Sequence, residues 1–303
     1  MKALITGLTG FVGPYLKEKL ESQGYEVFGL DRTNPENIED VFCGDVCDPD
    51  FVDDVFAKVL PDEVYHLAGF SSVKKSFDEP ALAMQINFGG TQNILESVRK
   101  HSPKAKILIV SSADVYGNPA SLPISEDEPT KGTSPYSKSR IAQEGLVGDY
   151  DDLFVVVSRS FNHTGPGQAE AFVLSGFAKQ IVEIEKGLKE PIIYTGDLDV
   201  VRDFSDVRDV VNAYYMLLQG GKSGEVYNVG SGVGFGLRDL LDKMIDRAGT
   251  GIEAKKDPSK VRPIEIMKLV ADISKLKKET GWGAGYSIDR TIDDLLNYWR
   301  NKL

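Results

Sequence analysis

The chain has 303 residues, of which 27% are charged and 41% hydrophobic, and a formal net charge of −11. That length holds one large domain or two smaller ones around a sizeable core. The acidic balance argues against a nucleic-acid binder, which concentrates Lys and Arg against phosphate, and no apolar run is long enough to span a membrane. The opening "MKALITGLTG" runs straight from a strand-like segment into glycines. That is not the pattern of a secretory signal, so the expected location is the cytoplasm. Short apolar runs, "KALIT", "YEVFGL", "EVYHLA", "KILIVSS" and "LFVVVSR", read as buried parallel strands. Helical stretches lie between them at 12–23, 49–59, 81–101 and 135–150. Alternation of this kind predicts an α/β fold, a Rossmann-type doubly wound parallel sheet.

The pattern changes after residue 160. "FNHTGPGQAE" is a Gly/Pro loop, and a helix is expected over about 171–187, then a strand at "PIIYTG". "DFSDVRDVVNAYYMLLQ" reads as a helix with an acidic first turn, and "EVYNVG" as a strand. Short helices at 236–248, 272–280 and 287–301 complete a tail too fragmentary for a second full sheet. The expected division is a dinucleotide-binding domain, 1–162 plus about 203–230, and a smaller substrate lobe, 163–202 and 231–303. The lobe would cap the carboxyl end of the sheet, where ligands bind in this architecture.

Chemistry enters first at "ITGLTGFVG". Gly7, Gly10 and Gly13 follow the first strand and open the first helix. Glycines there permit a tight turn and let a pyrophosphate approach the helix N-terminus. Asp31 ends the second strand, where a carboxylate binds adenosine ribose hydroxyls, which favours NAD. Arg32 beside it keeps NADP possible. Asp45 and Val46 follow the third strand and suit the adenine amine and ring face. Cys43 and Cys47 have no histidine near them in sequence and read as ordinary thiols, so no metal is expected.

The second centre is "SPYSKSR". Tyr136 and Arg140 stand at i and i+4, on one helix face, whereas Lys138 projects to nearly the opposite side. A phenol titrates near 10, and a fixed cation beside it favours the phenolate, which makes Tyr an acid–base group for an alcohol or ketone. Ser112, in "VSSADVYG" at the carboxyl end of the fifth strand, would hold the substrate oxygen, and Asp114 follows it on the same edge. Arginine supplies a permanent charge without the compact geometry of lysine.

These motifs together resemble the extended short-chain dehydrogenase/reductases that act on nucleotide sugars. The resemblance spans essentially the whole chain through "TGLTGFVG", "VYHLAGFSSV", "VSSADVYG", "SPYSKSR", "FNHTGPGQ", "VRDFSDVRDVVNAYYMLL", "EVYNVGSG" and "RPIE". It is most similar to the branch of GDP-4-keto-6-deoxy-mannose reductases and GDP-mannose 4,6-dehydratases, although Arg140 stands where that family keeps Lys. The resemblance implies Ser112, Asp114, Tyr136 and Arg140 as the catalytic set. It adds Phe11, Val12, Leu67, Ala68, Gly69, Phe161 and His163 to the dinucleotide site. For the nucleotide sugar it implies Ser72, Asn162, Val173, Lys179, Arg202, Arg262 and Glu265. Asp114 falls where the dehydratases keep a Glu as base at C5, and a shorter acid there suits a supporting polar role better. The expected activity is reduction of the C4 ketone of a GDP-linked deoxyhexose. The alternatives are a 4,6-dehydratase, a C4 epimerase and a nucleotide-binding protein with an impaired centre. The resemblance also implies a homodimer paired through 81–101 and 135–150.

Overall fold

The β-branched runs of the first half are covered on both faces. In the computed structural model, which describes residues 1–249, 251–260 and 266–303, β1 (Lys2–Thr6) leads to α1 (Gly13–Ser22), β2 (Glu26–Asp31), β3 (Val41–Cys43), α2 (Pro49–Val59) and β4 (Glu63–His66). Then come α3 (Val73–Asp78), α4 (Pro80–Met84), α5 (Gly90–His101), β5 (Lys106–Ser112), α6 (Pro135–Gly145), β6 (Phe154–Ser160) and β7 (Asn162–Thr164). The second half holds α7 (Val173–Glu185), β8 (Ile192–Thr195), β9 (Val201–Asp206), α8 (Val207–Gly220), β10 (Val226–Val229), β11 (Gly234–Gly236) and α9 (Leu237–Ala248). Last are β12 (Glu253–Lys256), β13 (Lys268–Leu269), α10 (Ser274–Thr280) and α11 (Ile288–Lys302).

Seven strands form one sheet in the order β10-β6-β5-β4-β1-β2-β3, every pair parallel. The order reverses between β1 and β4, and ligands bind above such a reversal, at the carboxyl ends of the strands. Leu16 and Leu20 of α1 and Val210, Tyr214 and Leu217 of α8 pack on one face. Val52, Val55 and Phe56 of α2 with Ile94, Leu95 and Val98 of α5 pack on the other. The expected Rossmann-type sheet is therefore present.

The second half, expected to be too fragmentary for a second full sheet, holds small ones, and three helix expectations are corrected. β9 pairs with β7, β11 and β13, and β12 pairs with β8. Residues 203–206, read as the first turn of a helix, belong to β9, and α8 begins only at Val207 behind the Asp206 N-cap. The helix expected over 81–101 is α4 and α5 joined through a π turn at Gln85–Gly89. The helix over 135–150 is α6 followed by a 3₁₀ turn, Leu146–Tyr150. Leu174, Phe177 and Ile181 of α7, Leu240 and Met244 of α9 and Leu295 and Trp299 of α11 close a separate apolar core. It lies beneath the small sheets and away from the seven-stranded one.

Candidate active site

The glycine turn is shaped by close approach. Gly7 has φ +76°, and a Cβ there would lie 3.0 Å from the Ala68 amide nitrogen. A Cβ on Gly13 would lie 2.0 Å from the Leu8 carbonyl oxygen, so α1 can start this close to the turn after β1 only on glycine. Pro14 occupies the first turn, where its missing N–H is no loss. The Asp31 carboxylate faces this turn. It accepts hydrogen bonds from the Thr9 amide (2.9 Å) and hydroxyl (2.7 Å), and from the Arg32 amide (2.7 Å). Val46 fills the space above Gly90, and its carbonyl accepts from Asn93 Nδ2 at 3.0 Å. The Phe11 ring stacks on His163, centroids 6.1 Å apart and planes 7° apart, so the glycine turn meets β7. Desolvation holds His163 below its ordinary pKa, and its Nδ1 lies 3.1 Å from the Phe161 carbonyl, which requires a proton on Nδ1.

β5 and α6 bring the second centre to the same edge. The Ser112 hydroxyl accepts from the Asp114 amide at 3.2 Å and lies 3.5 Å from Asp114 Oδ2, so Ser112 caps the 3₁₀ turn Ala113–Tyr116. α6 opens on a capping box between Ser134 and Ser137, with Pro135 in its first turn. The Tyr136 amide donates to Ser76 Oγ at 3.1 Å, which ties α6 to α3. Tyr136 and Arg140 are both buried, and Lys138 is exposed, as the helical period predicts. The Arg140 guanidinium carbon lies 5.5 Å from the Tyr136 ring centroid. Its Nη1 donates to the Val110 carbonyl (3.0 Å) and to Gln143 Oε1 (2.9 Å). Its Nε is buried and has no hydrogen-bond partner among the described residues.

That orphan donor, the glycine turn and the Asp31 carboxylate are the features a dinucleotide needs: a pyrophosphate seat, a ribose acceptor and a donor at the reacting end. The residues present fit the cofactor. Among the described residues no cluster of three His, Cys, Asp or Glu is placed to hold a metal ion. Cys43 and Cys47 are free thiols, and burial pushes Cys47 up to about 11.

The residues assigned to a nucleotide sugar are more scattered. Ser72 caps α3 through the Lys75 amide (3.2 Å), and Asn162 is exposed at the start of β7. Arg202 is buried on β9, its Nη1 donating to the Val201 carbonyl at 3.0 Å. Val173 begins α7, on which Lys179 pairs with Glu170 and, at 3.5 Å, with Glu183. Arg262 and Glu265 lie outside the described residues. Sequence reading missed Thr9, which holds Asp31, and Thr6, His66, Asn87, Thr91 and Gln143, which lie behind Arg140. Only Gln143 carried a readable signal, since it stands three residues after Arg140 on the same helix face.

Residues 4–295 match the family described as GDP-mannose 4,6 dehydratase. The chain is 36% identical to the GDP-6-deoxy-D-mannose reductase of Pseudomonas aeruginosa, over 100% of this chain and 98% of that one. A solved structure of RMD from Pseudomonas aeruginosa complexed with NADPH superposes with a TM-score of 0.90 at 35% identity, covering 100% of this chain and 99% of the other. The UDP-glucose 4-epimerase of Thermus thermophilus, solved in complex with NAD, gives 0.89 at 30% identity with both chains fully covered. The parallel sheet, the glycine turn and the Tyr136 helix run through all of these matched spans, and the chain belongs to the GDP-mannose 4,6-dehydratase family of extended short-chain dehydrogenase/reductases.

Proposed function

We propose that this enzyme reduces the C4 ketone of a GDP-linked 4-keto-6-deoxyhexose, using NADPH or NADH. The observation that carries the reading is full-length likeness to a GDP-6-deoxy-D-mannose reductase in a chain where Tyr136 and Arg140 stand together. When bound, the reduced nicotinamide supplies the hydride to C4. The Ser112 hydroxyl holds the ketone oxygen, and the Tyr136 hydroxyl gives its proton to that oxygen as the alcohol forms. Arg140 keeps a fixed positive charge beside the phenol, and on this reading its buried Nε–H, which has no partner among the described residues, is the donor left for the cofactor ribose. The glycine turn of Gly7, Gly10 and Gly13, with Phe11 and Val12, seats the pyrophosphate. Asp31 and Arg32 take the adenosine ribose, and Asp45 and Val46 take the adenine. Leu67, Ala68, Gly69, Phe161 and His163 line the remainder of the dinucleotide. On this reading the nucleotide sugar lies across Ser72, Asn162, Val173, Lys179 and Arg202, with Arg262 and Glu265 completing the set. The cytoplasm as location and pairing into a homodimer through α4, α5 and α6 belong to the same proposal. Light scattering after size exclusion tests the pairing.

A second reading is favoured by Asp114, whose carboxylate sits beside Ser112. In a 4,6-dehydratase that carboxylate takes the C5 proton as water leaves across C5 and C6. The test supplies purified enzyme with GDP-4-keto-6-deoxy-mannose and NADPH or NADH, or with GDP-mannose alone, and follows cofactor absorbance and product mass. Oxidation of the cofactor only with the keto sugar is expected, and Tyr136→Phe should lower that rate by about 100-fold or more. Loss of water from GDP-mannose without net cofactor change would replace the reductase reading with the dehydratase one.

A further inference from the structure

Behind Arg140 runs a chain of buried hydrogen bonds whose direction is fixed from end to end. A guanidinium only donates, so the Gln143 atom 2.9 Å from Nη1 is its carbonyl oxygen. The Gln143 amide nitrogen then faces Thr91 Oγ1 at 2.7 Å and donates to it. The Thr91 hydroxyl sends its own proton to the Asn87 carbonyl at 2.6 Å, so it also accepts from His66 Nε2 at 2.9 Å. His66 Nδ1 therefore accepts from the Thr6 hydroxyl at 2.7 Å, and Thr6 Oγ1 accepts from the Ala68 amide at 3.1 Å. Thr6, His66, Asn87, Thr91 and Gln143 are each 0% exposed. Burial with this donor pattern leaves little latitude, because reversing one amide leaves two donors facing each other.

We propose that Gln143 is a positioning residue that seats an arginine, and not a lysine, beside Tyr136. The inference rests on the reading of Tyr136 and Arg140 as the working pair. Nη1 bridges two acceptors at once, the Val110 carbonyl on β5 and Gln143 one turn further along α6. A lysine ammonium ends one bond short of Nη1 and cannot span both acceptors from the same backbone position. The opposite wall is cut to the guanidinium as well. A Cβ on Gly69 would lie 2.6 Å from Nη2, 3.0 Å from Nη1 and 2.9 Å from Asn87 Oδ1. Asn87 itself is held, with Oδ1 accepting from the Phe70 amide (2.8 Å) and Nδ2 donating to Ser139 Oγ (2.8 Å) on α6. The departure from lysine is thus matched by an acceptor on one side and by empty volume on the other.

The test is a double-mutant cycle with Arg140→Lys, Gln143→Met and both together. It reads kcat, KM for the sugar, the NADPH dissociation constant by protein fluorescence without sugar, and the thermal midpoint. Each single change should lower kcat about tenfold or more, with KM for the sugar moving less than about threefold and NADPH bound more weakly. In the Gln143→Met background, Arg140→Lys should cost less than about twofold further, because the seat it loses is already gone. Gln143→Glu, which keeps an acceptor toward the guanidinium, should retain kcat within about threefold. If Gln143→Met does not fold, Gly69→Ala replaces it in the cycle, pressing on the same guanidinium from the other wall. Undiminished kcat in Gln143→Met, independent multiplication of the two losses, or a faster Arg140→Lys enzyme would each overturn the proposal. Tyr136→Phe separates the levels. Full activity there defeats the working pair itself, whereas an inactive Tyr136→Phe beside a normal Gln143→Met defeats only the seat.

Discussion

His66 shows at the residue scale what a fully buried ionisable group costs. Burial, with the nearby Arg140 charge adding to it, lowers its pKa to about 3. Its two ring nitrogens already serve as one acceptor and one donor, so the neutral ring has no use for a second proton. The unfolded chain takes up that proton near its ordinary value of about 6.5 while the folded chain does not. As pH falls from about 6.5 toward 3, the unfolded state therefore binds the extra proton and stability is lost; above 6.5 the group contributes no pH dependence. Between pH 7 and pH 5 this one residue should remove about 2 kcal/mol of unfolding free energy. His66→Gln keeps an acceptor and a donor but cannot titrate. Urea unfolding of the two proteins at pH 7 and pH 5 checks the prediction through the difference between them, in which His163 and other titrating groups cancel. Parallel losses in both proteins would mean that His66 is not the proton-linked group.

Elements hold the face of α6 that carries Tyr136 and Arg140, and a buried ion pair fixes that face one turn beyond Arg140, at Glu144. Arg159 on β6 donates to both carboxylate oxygens of Glu144, at 2.8 Å from Nη2 and 3.1 Å from Nε to Oε2, with Nε also 3.2 Å from Oε1. The Ser111 hydroxyl of β5 donates to the same carboxylate, and the Arg159 guanidinium lies 4.8 Å over the Tyr116 ring. The two side chains are about equally buried, at 9% and 10% exposure. Removing one partner from such a pair leaves the other charge unpaired, so Arg159→Met should destabilise the protein by about 3–5 kcal/mol in urea unfolding. The double change Arg159→Met with Glu144→Met should restore much of that, because it leaves no lone charge. A double variant no more stable than the single one would show that the pair does more than satisfy itself. This element is partly legible in the sequence. The i, i+4 spacing of Tyr136 and Arg140 and the opposite aim of Lys138 follow from helix period alone. The partners of Glu144, and those of Gln143 other than Arg140, come from β5, β6 and α5, many residues away in the chain, and no local pattern marks them. β9 escapes local reading for a related reason. "VRDFSD" runs without a break into the amphipathic "VRDVVNAYYMLL", and its strand partners β7, β11 and β13 are three short segments that no local pattern assembles.

At the scale of the whole molecule, the proposed division of cofactor and sugar between the seven-stranded sheet and the smaller sheets after β6 is open to test at one buried carboxylate. Asp203 on β9 is 0% exposed, and desolvation pushes its pKa up while four hydrogen bonds pull the other way. Oδ1 accepts from the Ser231 amide (2.7 Å) and hydroxyl (2.6 Å). Oδ2 accepts from the Gly232 amide (2.9 Å) and the Ala271 amide (3.1 Å). Through this one side chain β9 holds the loop after β10 and the segment after β13, which together frame the strand that carries Arg202. Asp203→Asn keeps the shape but turns an NH₂ toward backbone N–H groups that now donate to the carboxylate. Such an unmet donor pair costs about 1–3 kcal/mol. That cost falls on the small sheet and away from the glycine turn, α1 and Asp31. The expected outcome is a several-fold rise in KM for the nucleotide sugar, with the NADPH dissociation constant changed by less than about twofold. Calorimetric titration of NADPH and initial rates against sugar concentration measure the two quantities on the same preparation. If both ligands weakened together, the sheets would not be separable binding units, and the proposal that the small sheet around β9 serves the sugar alone would fall.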